Sequence, residues 1–180
     1  MNLFEALRLK RACREYKRDP IPSEDVEKLV YAFGRAPTAS NRPYRHCIVV
    51  DDPALISAIR QISPSLLAEP PLLIIIFTDL SVASDKVGRV AERCSAVDAG
   101  AAGENVLLAA TALGLGSQFT MISTMAGIQT ILGLPDHFRV DLIIPVGQPA
   151  TNPKSVKHHR DANRVYHNHF GVPYERSNKA

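Results

Sequence analysis

Cysteine is scarce in this chain. Its 180 residues hold three, Cys13, Cys47 and Cys94, far apart and odd in number. No CxxC pair occurs, so a disulfide framework and a structural zinc site are set aside, and a reducing cytoplasm is the expected setting. An excess of either charge is missing too: 21 Lys and Arg stand against 18 Asp and Glu, a formal net charge of +3. That is too mild to imply nucleic acid, whose partners usually carry a concentrated basic face. The N-terminal stretch lacks the uninterrupted apolar segment of a secretory signal. From Asn105 to Pro135 no charged residue occurs, yet glycine, serine, threonine and glutamine interrupt the run. Its best apolar piece, Val106 to Leu115, is about half of the ~20 residues a membrane span needs, so it reads as buried core. Neither an internal repeat nor a phosphate-loop, GxSxG or HExxH motif is present.

What is there fits one soluble domain. Apolar residues make up 46% and charged residues 22%, which excludes disorder, collagen and coiled coil. A first helix is predicted over 2–13, with Leu3, Phe4 and Leu7 on one side and a basic end. Asp19-Pro20-Ile21-Pro22 is a stiff turn. Ser23 then suits an N-cap, with Glu24 and Asp25 in the first turn and Val26, Leu29, Val30 and Phe33 at helical spacing. Strands are predicted at 47–50, 72–77, 118–122 and 142–146; the apolar run Leu72 to Phe77 suits a strand covered on both faces. A short helix follows Pro53, a long one dense in alanine and glycine spans 91–115, and another lies near 124–132. The charged segment 79–93 reads either as a cover over a site or as a solvated connection. Beyond Gly147 the tail is polar and basic but keeps Val165, Tyr166, Phe170, Val172 and Tyr174, as an arm over a partner subunit would; a frayed terminus is the alternative.

Two segments carry candidate chemistry. Lys10, Arg11 and Arg14 place three cations at the end of the first helix. They serve either to offset the helix dipole or to hold a phosphate through charge-assisted hydrogen bonds. The loop Ala36 to Tyr44 (APTASNRPY) is either an ordinary turn or the edge of a ligand site. Gly114-Leu115-Gly116-Ser117 follows a helix rather than a strand and has Phe119 where a dinucleotide fingerprint has glycine, so that reading is rejected. His158, His159, His167 and His169 crowd the tail without a helical i, i+4 pair; surface or phosphate-contacting roles are expected over a metal site.

Together these segments resemble the FMN-dependent nitroreductase family. Arg11-Ala12-Cys13-Arg14-Glu15-Tyr16 resembles its opening motif, Ala36-Pro37-Thr38-Ala39-Ser40-Asn41 its Ala-Pro-Ser-x-x-Asn loop, and Val97 to Ser117 its central helix. Leu132-Gly133-Leu134-Pro135, Pro145 to Pro149 and His158-His159-Arg160 resemble its later segments, so the likeness covers residues 3–170. The resemblance implies an α+β fold, a mixed central sheet flanked by helices, in an intertwined homodimer with FMN at the subunit junction. Residues 1–150 would form the FMN-binding domain, and 151–180 an arm of that domain packing on the partner subunit. It implies that Lys10 and Arg11 meet the FMN phosphate, with Arg160 and His158 closing on it from the tail. Arg14 would lie by flavin N1 and the C2 carbonyl as the catalytic residue. Pro37, Thr38, Ala39 and Asn41 would reach the flavin of the partner, and backbone near Met121 and Ile122 would face N5. Ala12 replaces a serine of the family motif and forgoes its side-chain hydrogen bond, and Arg42-Pro43-Tyr44 replaces Gln-Pro-Trp in a form one residue shorter. The implied activity is electron transfer from NAD(P)H through flavin N5 to a small acceptor, a nitroaromatic or quinone, with ping-pong kinetics. A specialised flavin reaction on one metabolite and a non-enzymatic flavin carrier are the alternatives.

Overall fold

The computed structural model describes residues 1–120, 122, 124–151 and 165–174. Six α-helices run through the described residues: α1 (Leu3–Leu9), α2 (Ser23–Gly34), α3 (Pro53–Gln61), α4 (Leu80–Val87), α5 (Ala91–Ala112) and α6 (Met125–Leu132). Four strands accompany them: β1 (Arg45–Val50), β2 (Leu72–Asp79), β3 (Gly116–Ser117) and β4 (Phe138–Gly147), in the order β1-β2-β4-β3.

The architecture follows from β2. Its residues Leu72 to Thr78 are all buried, and a strand alternates its side chains between two faces. Leu72, Ile74 and Ile76 therefore pack with Leu29 of α2 and with Ala99, Ala102, Val106 and Leu107 of α5. Leu73 and Ile75 pack on the opposite face with Ile56 and Ile59 of α3 and Ile128 of α6. The result is the expected α+β fold, a central sheet flanked by helices. All three ladders of the sheet are antiparallel, rather than mixed, and the one parallel pairing is an isolated bridge outside the strands, Ala12 to Ser117. No helix among the described residues is long and apolar enough to cross a membrane.

Three local expectations are corrected. The first helix stops at Leu9 rather than 13, because the residues after Lys10 leave the helix to pair with the sheet. The segment 79–93 is not a loop: Asp79 caps α4, and a 3-10 turn over Gly88–Val90 leads into α5. The strand expected over 118–122 forms at Gly116–Ser117, with Thr120 making one further bridge to Ile143. The side of α1 expected to be apolar is real but uncovered within one chain; Leu3, Phe4 and Leu7 are 61%, 81% and 48% exposed. In the tail, Val165 to Tyr174 form a small hairpin, with His167 N–H donating to Val172 and Tyr174 N–H to Val165. The ring of Tyr166 lies 4.8 Å from that of Phe170, which is 90% exposed.

Candidate active site

Residues 12–17 are laid as an extended segment along the end of the sheet. Cys13 N–H donates to Ser117 O (3.1 Å), Lys17 N–H to Gln148 O (2.8 Å) and Ala150 N–H to Glu15 O (3.0 Å). Extended backbone turns alternate side chains to opposite sides. Cys13 accordingly points inward and is buried, while Ala12 and Arg14 are exposed. The contact is close because Gly116 has no side chain; a Cβ there would stand 2.5 Å from Cys13 Sγ and 2.6 Å from Cys13 Cβ. Tyr16 donates its hydroxyl to Cys13 O (2.6 Å) and is itself buried. Burial pushes the Cys13 thiol up, so it is not a ready nucleophile.

The three cations are used differently. Arg11 donates Nη1 to the carbonyls of Arg8 and Lys10, both at 2.7 Å, which satisfies the open end of α1 and realises the dipole reading. Lys10 stands 4.0 Å from Glu104 of α5 and 5.9 Å from the centre of the Phe119 ring. Phe119 reaches this place because α5 carries Gly103, where a Cβ would come within 2.5 Å of the ring. Arg14 has no hydrogen bond or salt bridge among the described residues. Thr120, next to the pair expected at the flavin edge, is 2% exposed and its Oγ1 has no hydrogen-bond partner among the described residues. Ile122 is half-buried and packs against the α3 and α6 side of the core. Met121, His158 and Arg160 lie outside the described residues.

The second loop is built on other supports. Thr38 precedes a 3-10 turn over Ala39–Asn41 in which Ser40 and Asn41 take φ of 57° and 53°. Ala39 N–H donates to Asp98 Oδ2 of α5 at 2.7 Å, and the buried Tyr44 hydroxyl donates to the same oxygen. Burial, with the Asp98 hydrogen bond, pushes the Tyr44 phenol up to about 12. Arg45 donates to the carbonyls of Phe33, Ala36, Pro37 and Asp98. Sequence reasoning missed Asp98 as part of this loop's support. Its signal was an acid inside an otherwise small and neutral stretch, Ser95 to Gly103, since a buried carboxylate needs donors.

No hydrogen bond or salt bridge among the described residues joins Lys10–Arg14 to Pro37–Asn41. Their contacts on α5, Glu104 and Asp98, are six residues apart, about 120° around the helix and ~9 Å along it. Within one copy the two segments rest on different faces of α5. A cavity of about 400 Å³ lies elsewhere, between Ile21, Val26, Ile56 and Leu72, with Asp51 and Glu69 at its wall.

The fold is shared by a group of solved proteins. The FMN-dependent nitroreductase of Clostridium difficile superposes with a TM-score of 0.81 at 25% identity, over 93% of this chain and 99% of that one. The NADPH:FMN oxidoreductase of Vibrio harveyi gives 0.81 at 22% identity, over 99% and 80%, a likeness of fold. In sequence, a relative from Methanothermobacter thermautotrophicus, provisionally named an NADH dehydrogenase/NAD(P)H nitroreductase, is 31% identical over 160 residues, 85% of this chain and 80% of its own. The profile of the nitroreductase family matches residues 7–71 and 60–148. The chain belongs to the nitroreductase family.

Proposed function

We propose that this protein is an FMN-dependent oxidoreductase. It takes electrons from NAD(P)H and passes them to a small oxidised acceptor such as a nitroaromatic or a quinone, as an intertwined homodimer. The observation that carries this reading is the pairing of residues 12–17 onto the sheet edge. It leaves Arg14 exposed, four residues from Lys10 in sequence, in a chain of the nitroreductase family. Relatives named as NAD(P)H nitroreductase and FMN-dependent nitroreductase support it.

Bound FMN supplies a ring that accepts and returns a hydride, and a phosphate that needs neutralising. The donor set fits that group. Lys10 would bring positive charge to the phosphate, Arg11 would add only the guanidinium donors that Nη1, bound to the α1 carbonyls, leaves over, and Arg160 and His158 would join from the tail. Arg14 would supply a cation to the ring, where negative charge develops on reduction, and so stabilise that charge. Pro37, Thr38, Ala39 and Asn41 would come from the partner subunit, and backbone near Met121 and Ile122 would face flavin N5. Ala12 contributes backbone only. The dimer is supported by the uncovered α1 face, by the exposed Phe170 hairpin, and by the placement of the two site segments on different faces of α5 within one copy. Residues 151–180 would act as its arm. Donor and acceptor take turns at one face, so initial rates follow ping-pong kinetics.

The test is to purify the protein and record its visible spectrum, its mass in solution and its response to NADH and NADPH without oxygen. A yellow dimer whose flavin band bleaches with pyridine nucleotide, and returns with a quinone, is expected. Colourless monomer that takes up no added FMN would refute the reading.

A further inference from the structure

Asp98 is buried, 7% exposed, and has no salt bridge among the described residues. Its carboxylate is satisfied instead by two donors on one oxygen: the Ala39 amide inside the 37–41 turn and the Tyr44 hydroxyl just after it. Below the turn, Arg45 ties the carbonyls of Ala36 and Pro37 to that of Asp98. The turn is therefore gripped at Ala36, Pro37 and Ala39, while the Ser40 and Asn41 side chains stand exposed. Two successive non-glycine residues in left-handed backbone are uphill, and such a shape persists only where its surroundings over-determine it. The grip on Ala39 comes immediately before this strained pair. The Asp98 carboxylate thus hydrogen-bonds the turn and its exit.

We infer that Asp98 is a positioning residue for the cofactor loop. Resting on the FMN reading above, its carboxylate holds residues 38–41 in the one shape that offers Thr38 and Asn41 to the flavin of the partner subunit. Asp98 itself touches no cofactor; it acts through Ala39 and Tyr44. Loss of the acceptor frees the turn to relax out of its left-handed pair, and FMN binding must then restore the shape.

Two readouts test this, one of them independent of flavin. The first is amide hydrogen exchange of the flavin-free protein. Asp98→Ala is expected to speed exchange over 38–41 while strand 72–77 keeps its protection. The second is FMN affinity, from quenching of flavin fluorescence. Asp98→Ala is expected to weaken it about tenfold or more, Tyr44→Phe about threefold, and Asp98→Asn, which keeps an acceptor oxygen, by less than about threefold. Asp141→Asn is the control. It disturbs another buried carboxylate, held by Thr78 and Arg139, and is expected to lower stability with FMN affinity intact. Should Asp98→Ala fail to fold, Tyr44→Phe and Asp98→Asn carry both readouts. Unchanged exchange at 38–41, or an equal affinity loss in Asp141→Asn, overturns the inference. Wild-type protein that binds no FMN overturns the functional reading, and the exchange result still decides whether Asp98 holds the turn.

Discussion

Replacing Gly116 by alanine tests the joint on which the candidate site is built. The added Cβ would meet Cys13 Sγ at 2.5 Å, Cys13 Cβ at 2.6 Å and Pro149 Cγ at 3.2 Å. Cys13 is 4% exposed, so its side chain has nowhere to turn, and the segment itself must lift. Overpacking of this kind costs about 1–3 kcal/mol. Lifting also strains the bonds Cys13–Ser117, Lys17–Gln148 and Ala150–Glu15, each worth about 1 kcal/mol. The stiffer unfolded chain returns about 0.4–1 kcal/mol. A net loss of about 1–3 kcal/mol follows, which lowers Tm by roughly 2–12 °C for a chain of this size. Thermal melts by circular dichroism, at fixed protein concentration and without flavin, measure it. The cause is separable. Adding Cys13→Ala removes the sulfur contact but leaves the Cβ contact, whereas Cys13→Gly removes both. The coupling energy between positions 13 and 116 should therefore be larger with glycine, by about 0.5 kcal/mol or more. A Gly116→Ala protein that melts with the parent, or equal coupling in the two double variants, would refute the packing argument.

Arg14→Ala should slow reduction by NAD(P)H in stopped-flow more than it weakens FMN binding; equal losses would make Arg14 an anchor alone. Asp79→Ala should cost about 1 kcal/mol near neutral pH, because Asp79 caps α4 by accepting from Val82 N–H and Ser81. Burial pushes the Asp79 carboxyl up, but the bonds from Ser81 and Val82 and the nearby His137 outweigh it and hold it below its ordinary 3.8. That stability is present above 3.8 and is lost as pH falls through the lower folded-state value, so urea melts of parent and variant should converge in acid. Phe4→Glu should shift the protein from dimer to monomer in sedimentation, since the ring is 81% exposed in one chain; an unaltered dimer would place the junction elsewhere.

The parts of this fold that rest on local pattern were legible. The apolar run of β2 announced a strand covered on both faces, and the alanine and glycine content of α5 announced close packing. What sequence could not supply was set by distant partners. α1 stops at Leu9 because Ala12 pairs with Ser117, and nothing near residue 10 encodes Ser117. Helix α4 was masked by its exposed charges, although Asp79 followed by Val82, Ala83 and Val87 is a cap and an apolar face. In the site, the cations and the 36–44 loop stood out by composition. Gly116, Gly103 and Asp98 did not, because each matters through a neighbour contributed from another part of the chain. Residue type showed which groups could bind a phosphate, and the third dimension showed that Arg11 already serves α1.

The way the sheet is wired also bears on how the protein is made. β2 pairs on one side with β1, a near neighbour in sequence, but on the other with β4, whose residues follow some sixty positions later. The segment 12–17 waits longer still, for Ser117, Gln148 and Ala150. At ordinary rates of translation that is on the order of ten seconds during which the open edge of β2 has no native mate. A nascent chain halted before residue 138 would leave one edge of Leu72 to Phe77 without its native strand. The amino terminus, first to emerge, is among the last pieces to lock.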